Sequence, residues 1–176
     1  MKKVEWKLIS ELMKNSRRSD RELAHAIGVS QPTVGRTVKR LEKEGYIKEY
    51  TILPDFHKLG YKIAAFTFVR LKKGLSREEI VEARKIAKER LEEKSLEIVM
   101  VEKGIGLGYD GVFVSLHEDY TSYLKFKNEV SQDTHLEAYN VESFLISLGE
   151  EETHFRPLTF SALAKHLVAL KERIKE

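Results

Sequence analysis

Residues Ser30 to Gly45, SQPTVGRTVKRLEKEG, decide how this chain is read. The stretch predicts one helix with two incompatible faces. A serine oxygen at position 30 suits a helix start, where first-turn N–H groups lack partners. Pro32 is tolerated in the first turn, because its missing N–H would be unpaired there anyway. Gly45 follows the last turn, where a left-handed residue commonly closes a helix. Val34, Val38 and Leu41 fall on one stripe and require burial. At about 100° per residue, Arg36, Lys39, Arg40 and Lys43 fall on the opposite arc. Gln31, Thr33 and Thr37 lie toward the N-terminal end of the cationic side.

The preceding residues strengthen the reading. Ser19-Asp20-Arg21-Glu22 fits a capping box and opens a shorter helix to Ile27. Ala24, Gly28 and Val34 carry the spacing of a helix-turn-helix: a small residue at the crossing, a glycine in the turn, a β-branched residue filling the gap. In that motif the second helix enters the DNA major groove and its N-terminal residues touch base edges. A charge run on a helix is usually only a solvated face. Here the capping box, the small-Gly-Val spacing and the one-sided cationic arc coincide, and double-stranded DNA is the partner that fits.

Charge is unevenly distributed. Residues 1–50 hold 12 Lys and Arg against 7 Asp and Glu, net +5, whereas residues 51–176 hold 19 against 21, net −2. A basic N-terminal module joined to a mildly acidic remainder suits a polyanion binder attached to something else. There is no cysteine, which excludes disulfides, thiolate metal sites and thiol catalysis. No apolar run is long enough to span a membrane and MKKVEWKL is not a signal peptide, so a cytoplasmic protein with no membrane partner is expected.

Along the chain, Val4, Leu8, Ile9 and Leu12 mark a first helix over roughly residues 3–14, with Trp6 expected in its packing. Residues 46–53, YIKEYTIL, read as an extended strand. Pro54-Asp55 and Leu59-Gly60 mark a connector. Strands are then expected over 62–71, 96–103, 111–117 and within 136–148. Helices are expected from the Ser76-Arg77-Glu78-Glu79 capping box to about residue 94, and from Asp119 to about Val130. The glycine-rich residues 104–110 read as a loop. The order βαββαβ is ferredoxin-like, with helices on one sheet face and the other left to be covered. Phe160, Leu163, Leu167, Leu170 and Ile174 repeat at 3, 4, 3, 4 and predict an amphipathic C-terminal helix, suited to its own sheet, a partner's sheet or its twin. The expected class is α+β. Its domains are residues 1–53, a helix-turn-helix unit with a trailing strand; 54–61, a linker; 62–149, the βαββαβ domain; and 150–176, a helical tail.

The segments WKLISELMKNSRRSDRELAHAIGVSQPTVGRTVKRLEKEGYIKEYTI and KLGY resemble the Lrp/AsnC (feast/famine) regulators, closely over residues 4–61 and by element order over 62–149. The resemblance implies a winged helix-turn-helix, a linking strand and a RAM/ACT-like effector domain. It further implies a homodimer or higher homo-oligomer and an amino acid or related small effector bound between effector domains. It places Ser30, Gln31, Thr33, Arg36, Thr37, Lys39 and Arg40 against DNA. Lys43 and Lys48 join them as phosphate-reaching cations at the helix end and just beyond it. The family's effector sequence, Gly-x-Tyr/Phe-Asp, maps onto Gly106, Gly108, Tyr109 and Asp110, although Leu107 stands where the family has a glycine. Asp110 could accept an effector's ammonium or cap its own turn.

Other chemistry finds little support. Gly106 to Gly111 spell Gly-x-Gly-x-x-Gly, yet a strand follows where a dinucleotide site needs a helix. The histidines, at 25, 57, 117, 135, 154 and 166, form no metal-ligand spacing, and no nucleophile elbow occurs. No metal, no cofactor and no enzymatic activity are expected. Two alternatives stay open: an enzyme resembling the siroheme decarboxylases on the same fold, and a non-specific DNA-packaging protein.

Overall fold

A computed structural model describes residues 1–71, 76, 78–79, 81–82, 85, 97–132, 138–149 and 158–173. Its elements are α1 (Lys3–Lys14), α2 (Asp20–Ile27), α3 (Gln31–Lys43), β1 (Ile63–Leu71), β2 (Ile98–Gly106), β3 (Tyr109–His117), α4 (Tyr120–Gln132), β4 (Ala138–Ser147) and α5 (Ser161–Arg173). They fall into two compact units, Met1–Leu53 with Arg156–Glu176, and Pro54–Phe155.

In the first unit the local signals act as their chemistry requires. Ser19 Oγ accepts the Glu22 N–H at 3.3 Å, and the Glu22 carboxylate takes back the Ser19 N–H at 2.7 Å. Gly28 and Gly45 adopt φ of +73° and +74°, ending α2 and following α3. Leu8, Leu23, Ile27, Val34 and Leu41 are buried together, with Leu12 of α1 and Val38 of α3 packed against them. Each such side chain contributes about 1.5–3 kcal/mol by leaving water. Trp6 is half-buried.

Three local features depart from expectation. Ser30 stands at the N-cap position of α3 but makes no side-chain cap; its hydroxyl pairs with Thr33 Oγ1 at 2.8 Å instead. Residues 46–53 form no strand, because a strand needs a neighbour and none of the described residues of this unit supplies one. The tail helix α5 packs on α1: Ser10 Oγ donates to the Ala164 carbonyl at 2.8 Å, and the small Ala164 side chain, fully buried, permits the close approach. Phe160 and Leu163 of its apolar stripe stay half exposed, at 54% and 51%.

The second unit is a four-stranded antiparallel sheet in the order β2-β3-β1-β4, the order of a ferredoxin-like split βαβ arrangement. Asp119 Oδ1 accepts the Ser122 N–H at 2.8 Å and starts α4. Phe126 and Val130 of α4 then pack on Val69, with Phe113 and Val141 alongside. Alternation puts Ala65, Thr67 and Val69 on this covered face, all buried. Phe66, Phe68, Val112 and Val114 lie half-buried on the other, with Phe144 65% exposed. The buried hydroxyls are paired, Thr67 with Ser143 at 2.9 Å and Ser115 with His117 Nε2 at 2.8 Å, as burial demands. The Ser76–Glu79 capping box forms, at 3.2 and 2.7 Å. Most of the helix expected over 76–94 lies outside the described residues.

The expected loop over 104–110 is a tight hairpin. Gly106 pairs with Tyr109, and Leu107 and Gly108 turn between them at φ of 51° and 75°. Two successive left-handed residues are the signature of a type I′ turn, whose twist matches that of the strands it joins.

Candidate nucleic-acid interface

α3 is held from behind and open in front. Val34 and Leu41 are fully buried, whereas Gln31, Arg36, Lys39 and Lys43 are exposed, as are Ser30 before the helix and Lys48 beyond it. Among the described residues Arg36 reaches its own helix, donating from Nε to the Pro32 carbonyl at 3.3 Å. Among the described residues no acid pairs with Arg36, Lys39, Lys43 or Lys48. Four unpaired cations on and beside one helix make a surface suited to phosphate, which is bound through charge neutralisation.

The remaining residues expected on this surface are partly committed elsewhere. Thr37 donates to the Thr33 carbonyl at 2.7 Å, and Thr33 is also engaged by Ser30. Both threonines are half-buried. Arg40 turns toward α1 and forms an ion pair with Glu5, with Glu44 3.8 Å away. Glu5 is 5% exposed. Burial opposes its charge, but the Lys2 backbone N–H at 2.7 Å and the Arg40 guanidinium hold its carboxyl below the ordinary range. At the helix end, burial and the Glu42 carboxylate, 2.9 Å away, push the Tyr50 hydroxyl up to about 12.

Two contributors to this surface escape a reading from residue type alone. Gly35 sits inside α3 where a Cβ would lie 3.2 Å from Asp20 Oδ2, so it sets how closely α2 and α3 approach. An isolated glycine within a helical pattern is the signal that could have pointed to it. Glu5 lies 35 positions from Arg40, and no sequence rule links them.

The hairpin residues Gly106, Gly108, Tyr109 and Asp110 do come together, but mostly with the chain's own groups. Arg70 Nε donates to the Gly108 carbonyl, and its guanidinium lies 5.5 Å from the Tyr109 ring centroid. A Cβ on Gly108 would fall 2.1 Å from Arg70 Nη2. Tyr109 hydrogen-bonds Glu142, which raises the phenol and lowers the carboxyl. Asp110 Oδ2 accepts the Leu71 N–H at 2.9 Å, a bond to β1 and not to its own turn. No group of metal-ligating side chains gathers among the described residues, and no described helix is long and apolar enough to cross a membrane.

Comparison with known proteins bears on the same surface. Residues 1–48 match a family described as winged helix-turn-helix DNA-binding. An uncharacterized HTH-type transcriptional regulator of Pyrococcus furiosus is 38% identical over 98 residues, 56% of this chain and 64% of that one. The HTH-type transcriptional regulator LrpC of Bacillus subtilis is 39% identical over 69 residues, 39% of this chain and 48% of that one. The matched stretch thus spans about half to just under two thirds of these relatives. Among solved structures, that of a Pyrococcus horikoshii HTH-type regulator has a TM-score of 0.69 at 28% identity, covering 90% of this chain and 97% of that one. Bacillus subtilis LrpC gives 0.67 at 23%, covering 90% and 96%. A Neisseria meningitidis transcriptional regulator, solved as a complex with L-Met, gives 0.66 at 20%, covering 93% and 99%.

Proposed function

The chain is a relative of the Lrp/AsnC regulators in its N-terminal domain and shares their fold, and from that premise we propose that it acts as a sequence-specific DNA-binding transcriptional regulator. The observation that carries this reading is the exposed, acid-free set Arg36, Lys39 and Lys43 on a helix whose opposite side is sealed in a core. Arg36 and Gln31 read base edges in the major groove, a geometry in which arginine pairs with guanine and glutamine with adenine. Lys39, Lys43 and Lys48 take phosphates, which position the helix without specifying sequence. Ser30 and Thr33 contribute hydroxyls at its N-terminal end. The protein works in the cytoplasm, on DNA and without enzymatic turnover.

Residues 1–53 serve as the DNA-binding part, 54–61 as the link, 62–149 as the effector and dimerisation part, and 150–176 as a tail. The open sheet face supports a homodimer. Phe66, Phe68, Val112, Val114 and Phe144 make an apolar surface of the kind that associates in water. Two copies would present two recognition helices to successive major grooves of a roughly palindromic site. An amino acid or related molecule is the effector class that the L-Met complex of the Neisseria protein supports. Gly106, Gly108, Tyr109 and Asp110 are the candidate contacts, and such a ligand would compete with Arg70, Glu142 and the Leu71 N–H for them.

Affinity for two duplexes over a range of salt tests the reading. One carries the promoter region upstream of this chain's own coding sequence, and the other is unrelated DNA of equal length. A preference of about 10³-fold or more for the first near physiological salt is expected of a specific regulator. Equal binding that collapses with salt identifies a DNA packager. Absence of binding, with a coloured tetrapyrrole-bearing preparation, identifies the decarboxylase-like alternative.

A further inference from the structure

We propose that Arg40 is a positioning residue and not a DNA contact: it neutralises the buried Glu5 carboxylate and thereby fixes the recognition helix α3 against α1. The inference rests on the DNA-binding reading and divides the cations of α3 into two kinds with different work.

Glu5 is the starting point. It is 5% exposed and belongs to the first turn of α1. Its carboxylate accepts the Lys2 N–H at 2.7 Å and is paired with the Arg40 guanidinium. A carboxylate removed from water needs a cation, and removing one partner of such a pair leaves an uncompensated charge in the interior. Arg40 forms an ion pair with Glu5, and the α-ammonium of Met1 adds a weaker attraction to the same carboxylate. Arginine suits the task because its planar, always-charged fork can pair with a carboxylate while part of it stays in water; here 42% of the Arg40 side chain remains exposed.

Direction and local charge support the same division. At about 100° per residue, Arg40 points roughly 65° away from the mean direction of Arg36, Lys39 and Lys43, toward the side of α3 that meets α1. Glu44 lies 3.8 Å from its Nε, so two acids attend this one cation. Arg36, Lys39 and Lys43 have no acid partner among the described residues. Binding phosphate releases counterions only for charge that the protein has not already neutralised. The phosphate-binding lysines Lys39, Lys43 and Lys48 therefore set the salt dependence of binding, and Arg40 sets the angle at which α3 is presented.

The test is the slope of log affinity against log salt for the full chain and the promoter duplex described above. Lys39→Ala should make the slope shallower by about 0.9, the loss of one phosphate neutralisation. Arg40→Ala should keep the wild-type slope while lowering affinity by one common factor at every salt concentration, and Glu5→Gln should lower affinity without making the slope shallower. The two combined should be no weaker than the weaker single variant. Should Arg40→Ala fail to fold, Glu5→Leu with Arg40→Met replaces the pair by apolar side chains, an exchange that buried pairs often tolerate; it too should keep the wild-type slope. A slope loss in the Arg40 variants equal to that of Lys39→Ala, with Glu5→Gln unaffected, overturns the proposal alone. A wild-type chain that binds neither duplex overturns the DNA-binding reading and this proposal with it.

Discussion

Gly35 of α3 faces Asp20 of α2 so closely that a Cβ at position 35 would lie 3.2 Å from Asp20 Oδ2. The two helices of the DNA-binding motif are thus spaced by a missing side chain. Replacing glycine by alanine in an unhindered helix gains about 1 kcal/mol. Gly35→Ala should gain less than that, since the Asp20 carboxylate must give way, and Asp20→Ala in the same chain should restore the remainder. Gly35→Val, which adds bulk at the contact, should lower stability by about 1–3 kcal/mol. Denaturant unfolding of the wild-type chain and these variants distinguishes the outcomes.

Leu107 adopts φ of 51° and is 83% exposed at the tip of the β2–β3 hairpin. A left-handed backbone costs a leucine roughly 1–2 kcal/mol, whereas asparagine tolerates it and is favoured in this turn type. Leu107→Asn should therefore raise the melting temperature although it removes an apolar side chain. Gly108→Ala should lower it, because its Cβ would meet the Arg70 guanidinium.

The packing of α5 on α1 separates two neighbouring residues of one helix. Ala164 is fully buried, and Leu163 is 51% exposed. Ala164→Leu should cost about 1–3 kcal/mol through overpacking. Leu163→Ala should stay within about 0.5 kcal/mol, as surface changes usually do. Thermal unfolding of both variants is sufficient, and equal effects would place the helix elsewhere.

His117 is 3% exposed and bonded to Ser115, with the Tyr123 and Phe126 rings packed on it at centroid distances of 5.7 and 5.3 Å. Burial lowers its pKa from the ordinary 6.5. The unfolded chain therefore binds this proton more readily than the folded one, so acid favours unfolding. Stability should be unaffected by this group above about pH 6.5 and should decline as pH falls below it, until the folded-state value is passed. His117→Gln should flatten that part of a melting-temperature profile against pH.

Much of the architecture was legible because it is written in local chemistry. The Ser19–Glu22 capping box, the left-handed Gly28 and Gly45, and the Val34–Leu41 stripe each act within a few residues, and each formed as expected. The apolar runs over 63–71 and 138–147 likewise became strands. What local chemistry could not convey was partnership. Glycines at 104, 106 and 108 suggested a loop, yet pairing with β3 carries β2 through to Gly106. Tyr46 to Leu53 has strand-forming side chains, but a ladder requires a second strand. The helical wheel grouped Arg40 with the cationic arc of α3 and could not reveal Glu5, 35 positions away. Tyr109 and Asp110 were recognisable as a motif, whereas the Glu142 side chain and Leu71 N–H that engage them lie on β4 and β1.

The most direct test of the account is Arg36→Ala on the two duplexes. Arg36 is exposed, is tied among the described residues to the Pro32 carbonyl, and lies outside the core of α3. If it is bidentate to guanine, its loss should weaken binding to the promoter duplex by about 1–3 kcal/mol and weaken unrelated DNA much less, so that discrimination narrows. The melting temperature should be unchanged. Equal weakening on both duplexes would reduce Arg36 to a phosphate contact, and no change on either would contradict the assignment of this face of α3 to DNA.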